Sequence, residues 1–212
     1  MKELFIVGDV QGCNAELHDL LDVAHFDESL HELAFTGDLN NRGPDSRGVL
    51  ELARARRALV VVGNHEDALL DDFHGATIDR VRKQLGAELE KWIDWIRGWP
   101  TFIRRDDGKS GLILVHAGIA PGKRPEECTR GELTRIRNVD GKPWFESWRG
   151  PETVVFGHWA KLGKVDRPLV KGLDTGCVYG GRLTGIFWPS GKWVSVPARK
   201  MWFDPLTHEP QW

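Results

Sequence analysis

Residues 59–66 read LVVVGNHE, four apolar residues running into a glycine and then an amide, an imidazole and a carboxylate. A short Val-rich run stopped by Gly is the pattern of a core strand covered on both faces, as in α/β proteins. Ligands of such sheets collect at the carboxyl edge, which is where Asn64 and His65 would sit. The same construction recurs: LFIVGD ends at Asp9, LAFTGD at Asp38, LILVHAG carries His116 and TVVFGH ends at His158. Taken singly, each has an ordinary structural role, with Asp9 and Asp38 as helix caps, Asn64 as a turn residue, and His116 and His158 as hydrogen-bonded core imidazoles. Five such strand ends converge in space, however, if the strands share a sheet. Carboxylate, amide oxygen and imidazole together suit divalent transition metals, and the absence of Cys argues against a structural zinc cage. Two carboxylates with several neutral ligands can hold two ions about 3.5–4 Å apart, an arrangement used to hydrolyse phosphate esters.

The 212 residues fit one domain, 1–212, large enough to bury a substantial core. A net charge of −2 supplies no global basic field, so non-specific nucleic-acid binding is not expected and phosphate recognition must come from local basic clusters. The opening MKELFIVGD enters a strand within a few residues, leaving no room for a signal peptide, and no apolar run approaches a membrane span. A cytoplasmic protein without membrane contact is expected, and no segment marks an obligate protein partner. Cys13, Cys128 and Cys177 are too few, too scattered and odd in number for a disulfide framework. Most of the ten Trp residues are read as packing residues.

In order, a strand at 4–7 leads through GDVQGC to a helix carrying Leu17, Leu20, Leu21 and Ala24. A strand at 32–36 leads through GDLNNRGPDS to a helix through Val49, Leu50 and Ala53, capped by Asp45 or Ser46. The third unit is the 59–66 stretch with a short helix after Glu66. Three successive βα units predict a largely parallel sheet. Residues 71–100 read as helix, with Leu85, Leu89, Trp92, Ile93 and Ile96 as its apolar stripe. Strands follow at 102–105, 112–115, 153–156, 172–173, 182–187 and 192–196, with hairpin turns at Asp106-Asp107-Gly108 and Ser190-Gly191-Lys192. The polar, basic segment 119–152 reads as an insertion over the site and not as part of the sheets.

Taken in order, GDVQG, GDLNNRGP, GNHE, HAG and GH resemble the signature blocks of the calcineurin-like metallophosphoesterases, in the phosphoprotein phosphatase branch. Cys13 after the first block, RGPDS at 42–46, LTRIRN at 133–138, KPWF at 142–145, FGHWA at 156–160 and LDTGCVYGGRLTG at 173–185 bring the likeness closest to the bacterial symmetrical diadenosine tetraphosphatases. The resemblance implies an αββα sandwich of two mixed sheets flanked by helices, with a short lid at about 119–152. It implies two divalent metal ions, most often Mn2+, with Co2+, Zn2+, Fe or Ni2+ as alternatives. Asp9 and His158 would hold the first ion, Asp38 would bridge, and Asn64 and His116 would hold the second. A hydroxide between the ions would attack phosphorus in line, His65 would donate to the leaving oxygen, and Arg42 with Arg135 or Arg137 would hold phosphate oxygens. The implied reaction is symmetrical cleavage of diadenosine tetraphosphate to two ADP.

Two positions depart from the family pattern. Gln11 stands where the first block usually supplies a His ligand, and its amide oxygen is a weaker donor. Asn41 stands where phosphoprotein phosphatases have an Asp that supports the catalytic His. Other positions admit two roles: residues 134–138 also look like a solvated helix face, and Trp144 with Phe145 either stacks on an adenine or packs the insertion. The lid is shorter than is usual in the tetraphosphatases, which points to tolerance for other nucleosides and chain lengths. The alternatives are a protein serine/threonine phosphatase or broad phosphomonoesterase, for which the same core would serve, and a binding scaffold whose chemistry Gln11 and Asn41 have weakened.

Overall fold

Along strand β1 (Glu3–Val7) alternate side chains face opposite ways, and the two faces belong to different cores. Leu4 and Ile6 join Ala34, Leu112, Leu114, Val155 and Ile186 in one apolar cluster, while Phe5 and Val7 join Leu17, Leu20, Val49 and Leu50 in another. The computed structural model describes residues 2–106 and 111–211. After β1 come α1 (Asn14–Ala24), β2 (His31–Phe35), α2 (Ser46–Ala55), β3 (Leu59–Val60), α3 (Asn64–Leu70), α4 (Ala76–Leu85), α5 (Leu89–Arg97), β4 (Phe102–Asp106) and β5 (Gly111–Val115). The second half holds α6 (Arg130–Arg135), the pair β6 (Asn138–Val139) and β7 (Lys142–Pro143), β8 (Thr153–Phe156), β9 (Val165–Arg167), β10 (Val170–Gly172), β11 (Arg182–Trp188) and β12 (Trp193–Pro197). A last pair is β13 (Phe203–Asp204) with β14 (Glu209–Pro210).

Two five-stranded mixed sheets result, ordered β12-β11-β1-β2-β3 and β4-β5-β8-β10-β9. The first is parallel through β1, β2 and β3, and antiparallel where β11 joins β1 and β12 joins β11. In the second, β5, β8 and β10 are parallel. The apolar cluster containing Leu4 and Ile6 draws residues from both sheets, so it is the layer between them. This matches the expected sandwich, and the antiparallel strands correct the expectation of a largely parallel first sheet.

Three local expectations change. The helix expected over 71–100 is two helices, because the chain turns at Gly86 with φ +59, a conformation that suits glycine and ends α4. The strand in LVVVG is only Leu59–Val60: the Val62 N–H leaves the ladder and donates to the Pro100 carbonyl at 2.9 Å. The helix expected after Glu66 starts earlier, so Asn64 and His65 form its first turn. The turn expected at Asp106-Asp107-Gly108 falls largely on residues outside those described, although the flanking β4 and β5 pair antiparallel, Asp106 opposite Gly111. Asp45, not Ser46, caps α2, accepting from Gly48 N at 2.8 Å.

The insertion is also more than a cover. Ile119, Leu133, Trp144 and Phe145 pack with Ile113, Val115, Val154 and Phe156 from the outer face of the second sheet. The segment is the fourth layer of the sandwich, and without it that face of β5 and β8 would meet water. Trp144 shows why it cannot stack on an adenine: it is 1% exposed, edge-on to Phe156 with ring centroids 5.4 Å apart. A Cβ on Gly118 would lie 2.3 Å from the indole, so the bare backbone of the HAG block is the floor of its pocket. Trp144 is a packing residue, and the stacking role is withdrawn.

Candidate functional site

Because β1, β2 and β3 run parallel in one sheet and β5 and β8 run parallel in the other, their carboxyl ends gather at one edge of the sandwich. Asp9, Asp38, Asn64, His116 and His158 meet there. The turns that aim them are tight, and Asp38 (φ +51), His158 (φ +67), Gln11 (φ +46) and Arg42 (φ +60) all occupy the left-handed region. Such backbone costs on the order of 1–3 kcal/mol per residue and persists where the surroundings enforce it, commonly at functional sites.

The imidazoles of His116 and His158 are held neutral. His116 Nδ1 donates to the Thr36 carbonyl at 2.8 Å, which leaves the lone pair on Nε2 facing the site. That Nε2 lies 3.0 Å from Asn64 Oδ1 and 3.4 Å from Asp38 Oδ1, and His158 Nδ1 lies 2.7 Å from the same Asn64 oxygen. Burial holds His116 below its ordinary pKa and pushes His158 down to about 2, with His116 and Arg137 adding repulsion at His158. Asp9 accepts the His158 backbone N–H at 3.0 Å and the Thr36 hydroxyl at 3.1 Å. The geometry therefore redistributes the expected ligands: the His158 ring groups with Asn64 and His116, and only its backbone reaches Asp9.

His65 is buried, its N–H donates to Asp38 Oδ1 at 2.9 Å, and its Nε2 stands 3.6 Å from Asp38 Oδ2. Burial, then the Arg42 charge, hold it well below the ordinary histidine pKa. It is thus suited to donate a hydrogen bond as a neutral ring. Asn41 is not its support, since the Asn41 oxygen accepts the Arg42 N–H at 2.8 Å. Arg42 hydrogen-bonds Tyr179 and lies 5.5 Å from the ring centroids of Tyr179 and Phe203. A cavity of about 680 Å3 opens over the edge, with Gln11, Asp38, Asn64 and His158 on its floor and Arg42, Arg137, Trp159 and Tyr179 in its walls. Arg137 Nη2 is 3.4 Å from the His158 carbonyl. Arg135 is not in that wall; it pairs with Asp67 at 2.7 Å beside Arg130, also at 2.7 Å, fastening α6 to α3.

Residues 3–173 match the calcineurin-like phosphoesterase family. The chain belongs to that family. A symmetrical bis(5'-nucleosyl)-tetraphosphatase of Coxiella burnetii (strain CbuK_Q154) is 32% identical, the match covering 93% of this chain and 92% of the relative. Its counterpart from Edwardsiella ictaluri (strain 93-146) is 30% identical over 92% and 96%. A solved structure of a candidate diadenosine tetraphosphatase superposes with a TM-score of 0.84 at 36% identity, covering 93% of this chain and 94% of that one. The match to the Coxiella relative runs over 274 residues, more than the 212 here, so that relative carries positions with no counterpart in this chain.

As a calcineurin-like phosphoesterase the chain is a metal-dependent phosphohydrolase, and its residues fit divalent ions. Asp9, Asp38 and His116 offer ligand atoms all within 4.8 Å of one another. Lone pairs of His116, Asn64 and Asp38 point at each other at hydrogen-bond distances, a repulsive arrangement that a cation resolves. A second group within 4.8 Å, Cys13, Glu16 and Cys177, lies buried below the first loop. There Glu16 Oε1 accepts Arg199 N at 3.0 Å and Trp202 Nε1 at 2.6 Å, fixing the C-terminal segment. No helix among the described residues is long and apolar enough to cross a membrane.

Two buried carboxylates escaped the sequence reading. Glu66 accepts from Asp38 N (2.8 Å), Leu39 N (2.9 Å), Gly63 N (2.9 Å) and Asn40 Nδ2 (2.6 Å), tying the loop after β2 to α3. The Gly-x-x-Glu spacing of GNHE, a helix-start signature, was the available signal. Asp174 follows β10 and lines the cavity; the acid after the apolar end of β10 repeats the pattern of LFIVGD. Burial raises Asp9, Asp38, Glu66 and Asp174, with Asp38 and Glu66 at about 7. An acid with a raised folded pKa binds more protons folded than unfolded, so stability is lost as pH rises from the ordinary carboxyl range near ~4 through the folded values. Below about pH 6.5 the buried histidines His65, His116 and His158, whose pKa values are lowered, work in the opposite sense. The metal-free protein should therefore melt at progressively lower temperature from about pH 6.5 to about pH 8, and Mn2+ should restore most at the alkaline end. Melting curves with and without the ion check this; a flat metal-free profile contradicts it.

Proposed function

We propose that the protein hydrolyses dinucleoside polyphosphates and cuts diadenosine tetraphosphate symmetrically into two ADP, using two divalent ions, most readily Mn2+. The observation that carries the proposal is the cavity. Beside the metal-facing edge it offers two arginines and two aromatic walls, Trp159 and Tyr179, in a chain whose relatives over nine-tenths of its length are named tetraphosphatases. Two ions held there supply Lewis acidity and a water acidic enough to attack at neutral pH. Asp9, Gln11, Asp38, Asn64, His116 and His158 are the residues assigned to hold them, with Asp38 between the two. Arg42 and Arg137 grip nonbridging phosphate oxygens through planar guanidinium forks, and His65 donates a hydrogen bond to the departing phosphate oxygen. Trp159 takes the base-stacking role that Trp144 cannot.

We treat residues 1–212 as one domain and place the protein in the cytoplasm, in keeping with free Cys13, Cys128 and Cys177. Chromatography of the products from diadenosine tetraphosphate tests the main proposal. Two ADP are expected; ATP with AMP, or a phosphopeptide rate far above the dinucleotide rate, transfers the assignment to a general or protein phosphatase. Because Arg137 lines the cavity while Arg135 is paired to Asp67, Arg137→Ala should raise KM for the tetraphosphate roughly tenfold, the worth of one charge-assisted hydrogen bond. Arg135→Ala should raise it less. Equal effects of both would place Arg135 on the substrate as well.

A further inference from the structure

The first block of the site is one imidazole short. Gln11 stands at the position, and its carbonyl oxygen Oε1 is buried with no hydrogen-bond partner among the described residues. The residue is 4% exposed and lines the cavity. A neutral amide oxygen is a poor replacement for imidazole, so Asp9, Gln11 and Asp38 alone make a weak ion site.

Asp174 lines the same cavity as Gln11 and Asp38. Strand β10 runs parallel to β8, so its carboxyl end points to the same edge. There it meets β1 closely: a Cβ on Gly8 would be 2.5 Å from the Leu173 carbonyl oxygen, which sets Asp9 and Asp174, the next residues of the two segments, side by side. The two carboxyls are close enough to repel, Asp174 raising the affinity of Asp9 for a proton. Asp174 is 5% exposed, lines the cavity with Gln11 and Asp38, and accepts a hydrogen bond from Gly176 N at 3.1 Å. The imidazoles of His65 and His116 stand 3.6 and 3.4 Å from Asp38, and the Arg42 charge acts on the same carboxyl. Carboxylates buried beside one another are held at a high cost unless protons or a metal neutralise them.

We propose that Asp174 is a ligand of the first metal ion, its carboxylate occupying the coordination position that Gln11 leaves weak. The proposal rests on the two-ion assignment above. It divides the centre by chemistry: the first ion sits among oxygens from Asp9, Asp38, Asp174 and Gln11, and the second shares Asp38 and takes Asn64 with the imidazoles of His116 and His158. Oxygen donors favour harder ions and imidazole favours zinc-like ones, so the first position should prefer Mn2+ over Zn2+.

The test is Mn2+ titration followed by the electron paramagnetic resonance of the free ion. Wild type should bind two ions. Asp174→Asn, nearly isosteric and able to keep the Gly176 bond, should retain one at unchanged affinity and weaken the other at least tenfold, while adding Gln11→His should recover the tight second ion. Two ions of unchanged affinity in Asp174→Asn, or a loss that Gln11→His fails to rescue, overturns the proposal and leaves Asp174 as a loop-holding residue. A wild type that binds only one ion overturns the two-ion assignment itself. Should Asp174→Asn fail to fold, anomalous scattering from wild-type crystals grown with Mn2+ decides. A peak in contact with the Asp174 carboxylate supports the ligand role, and a peak touching only Asp9, Gln11 and Asp38 overturns it.

Discussion

Asp38→Asn should lower turnover by roughly 10³-fold or more at saturating Mn2+, beyond the loss typical of removing one electrostatic donor from an active site, while the metal-free protein melts no lower than wild type. Asp38 stands at the centre of the site, with His116 Nε2 at 3.4 Å, His65 Nε2 at 3.6 Å and the Gln11 amide beside it. Its carboxylate is the group assigned to both ions, so neutralising it leaves two cations facing each other unscreened. Asn is the informative replacement because it tolerates φ +51 and can still accept the His65 N–H. Burial is the largest influence on this carboxyl and disfavours its charge, so a neutral amide in its place should not weaken the fold. His116→Ala should also abolish turnover, but at an added cost of about 1–3 kcal/mol in stability, since the buried Thr36 carbonyl loses its donor. Rates with added Mn2+ alongside thermal melts check both. Full activity in Asp38→Asn would sink the two-ion assignment.

His65→Asn should leave metal binding intact and slow cleavage of poor leaving groups by roughly 10²–10⁴-fold, with a much smaller effect on nitrophenyl phosphate, whose leaving group needs no proton. The ring is buried, and its low pKa keeps it neutral across the working range. The proposed role is donation of a hydrogen bond from a fixed position on the first turn of α3, where the backbone N–H is anchored to Asp38. Because a neutral ring needs no protonation to donate, the wild-type rate should show no histidine limb near pH 6.5 assignable to this residue. Equal losses on both substrates would remove the donor role and leave His65 as a residue that merely positions Asp38.

Each side chain that meets at the sheet edge was visible in the sequence because the physics that makes it visible is local. A buried strand must be an apolar run, a sharp exit needs glycine, and a group placed just after that exit lies at the sheet edge. Asp9, Asp38, Asn64, His116 and His158 all carry this signature, and order along the chain sufficed to gather them. Asp174 was harder to see because β10 is three residues long and its alternation too brief to stand out. Glu66 was read as part of a motif, yet its work is done by five hydrogen bonds, four of them from the segment after β2, which is distant in sequence.

What the sequence determined by itself, then, was the sandwich and the set of polar side chains brought to its edge, since periodicity, turn residues and strand ends are encoded within a few positions of each other. Only the tertiary structure decided how those ligands group. The His158 ring turns away from Asp9 toward Asn64, Trp144 goes inward onto Gly118 instead of outward to a base, and Arg135 is captured by Asp67 while Arg137 reaches the cavity. In each case the choice depends on which distant surface the side chain meets. That surface comes from packing one sheet, one loop or one helix against another, and no spacing along the chain records it.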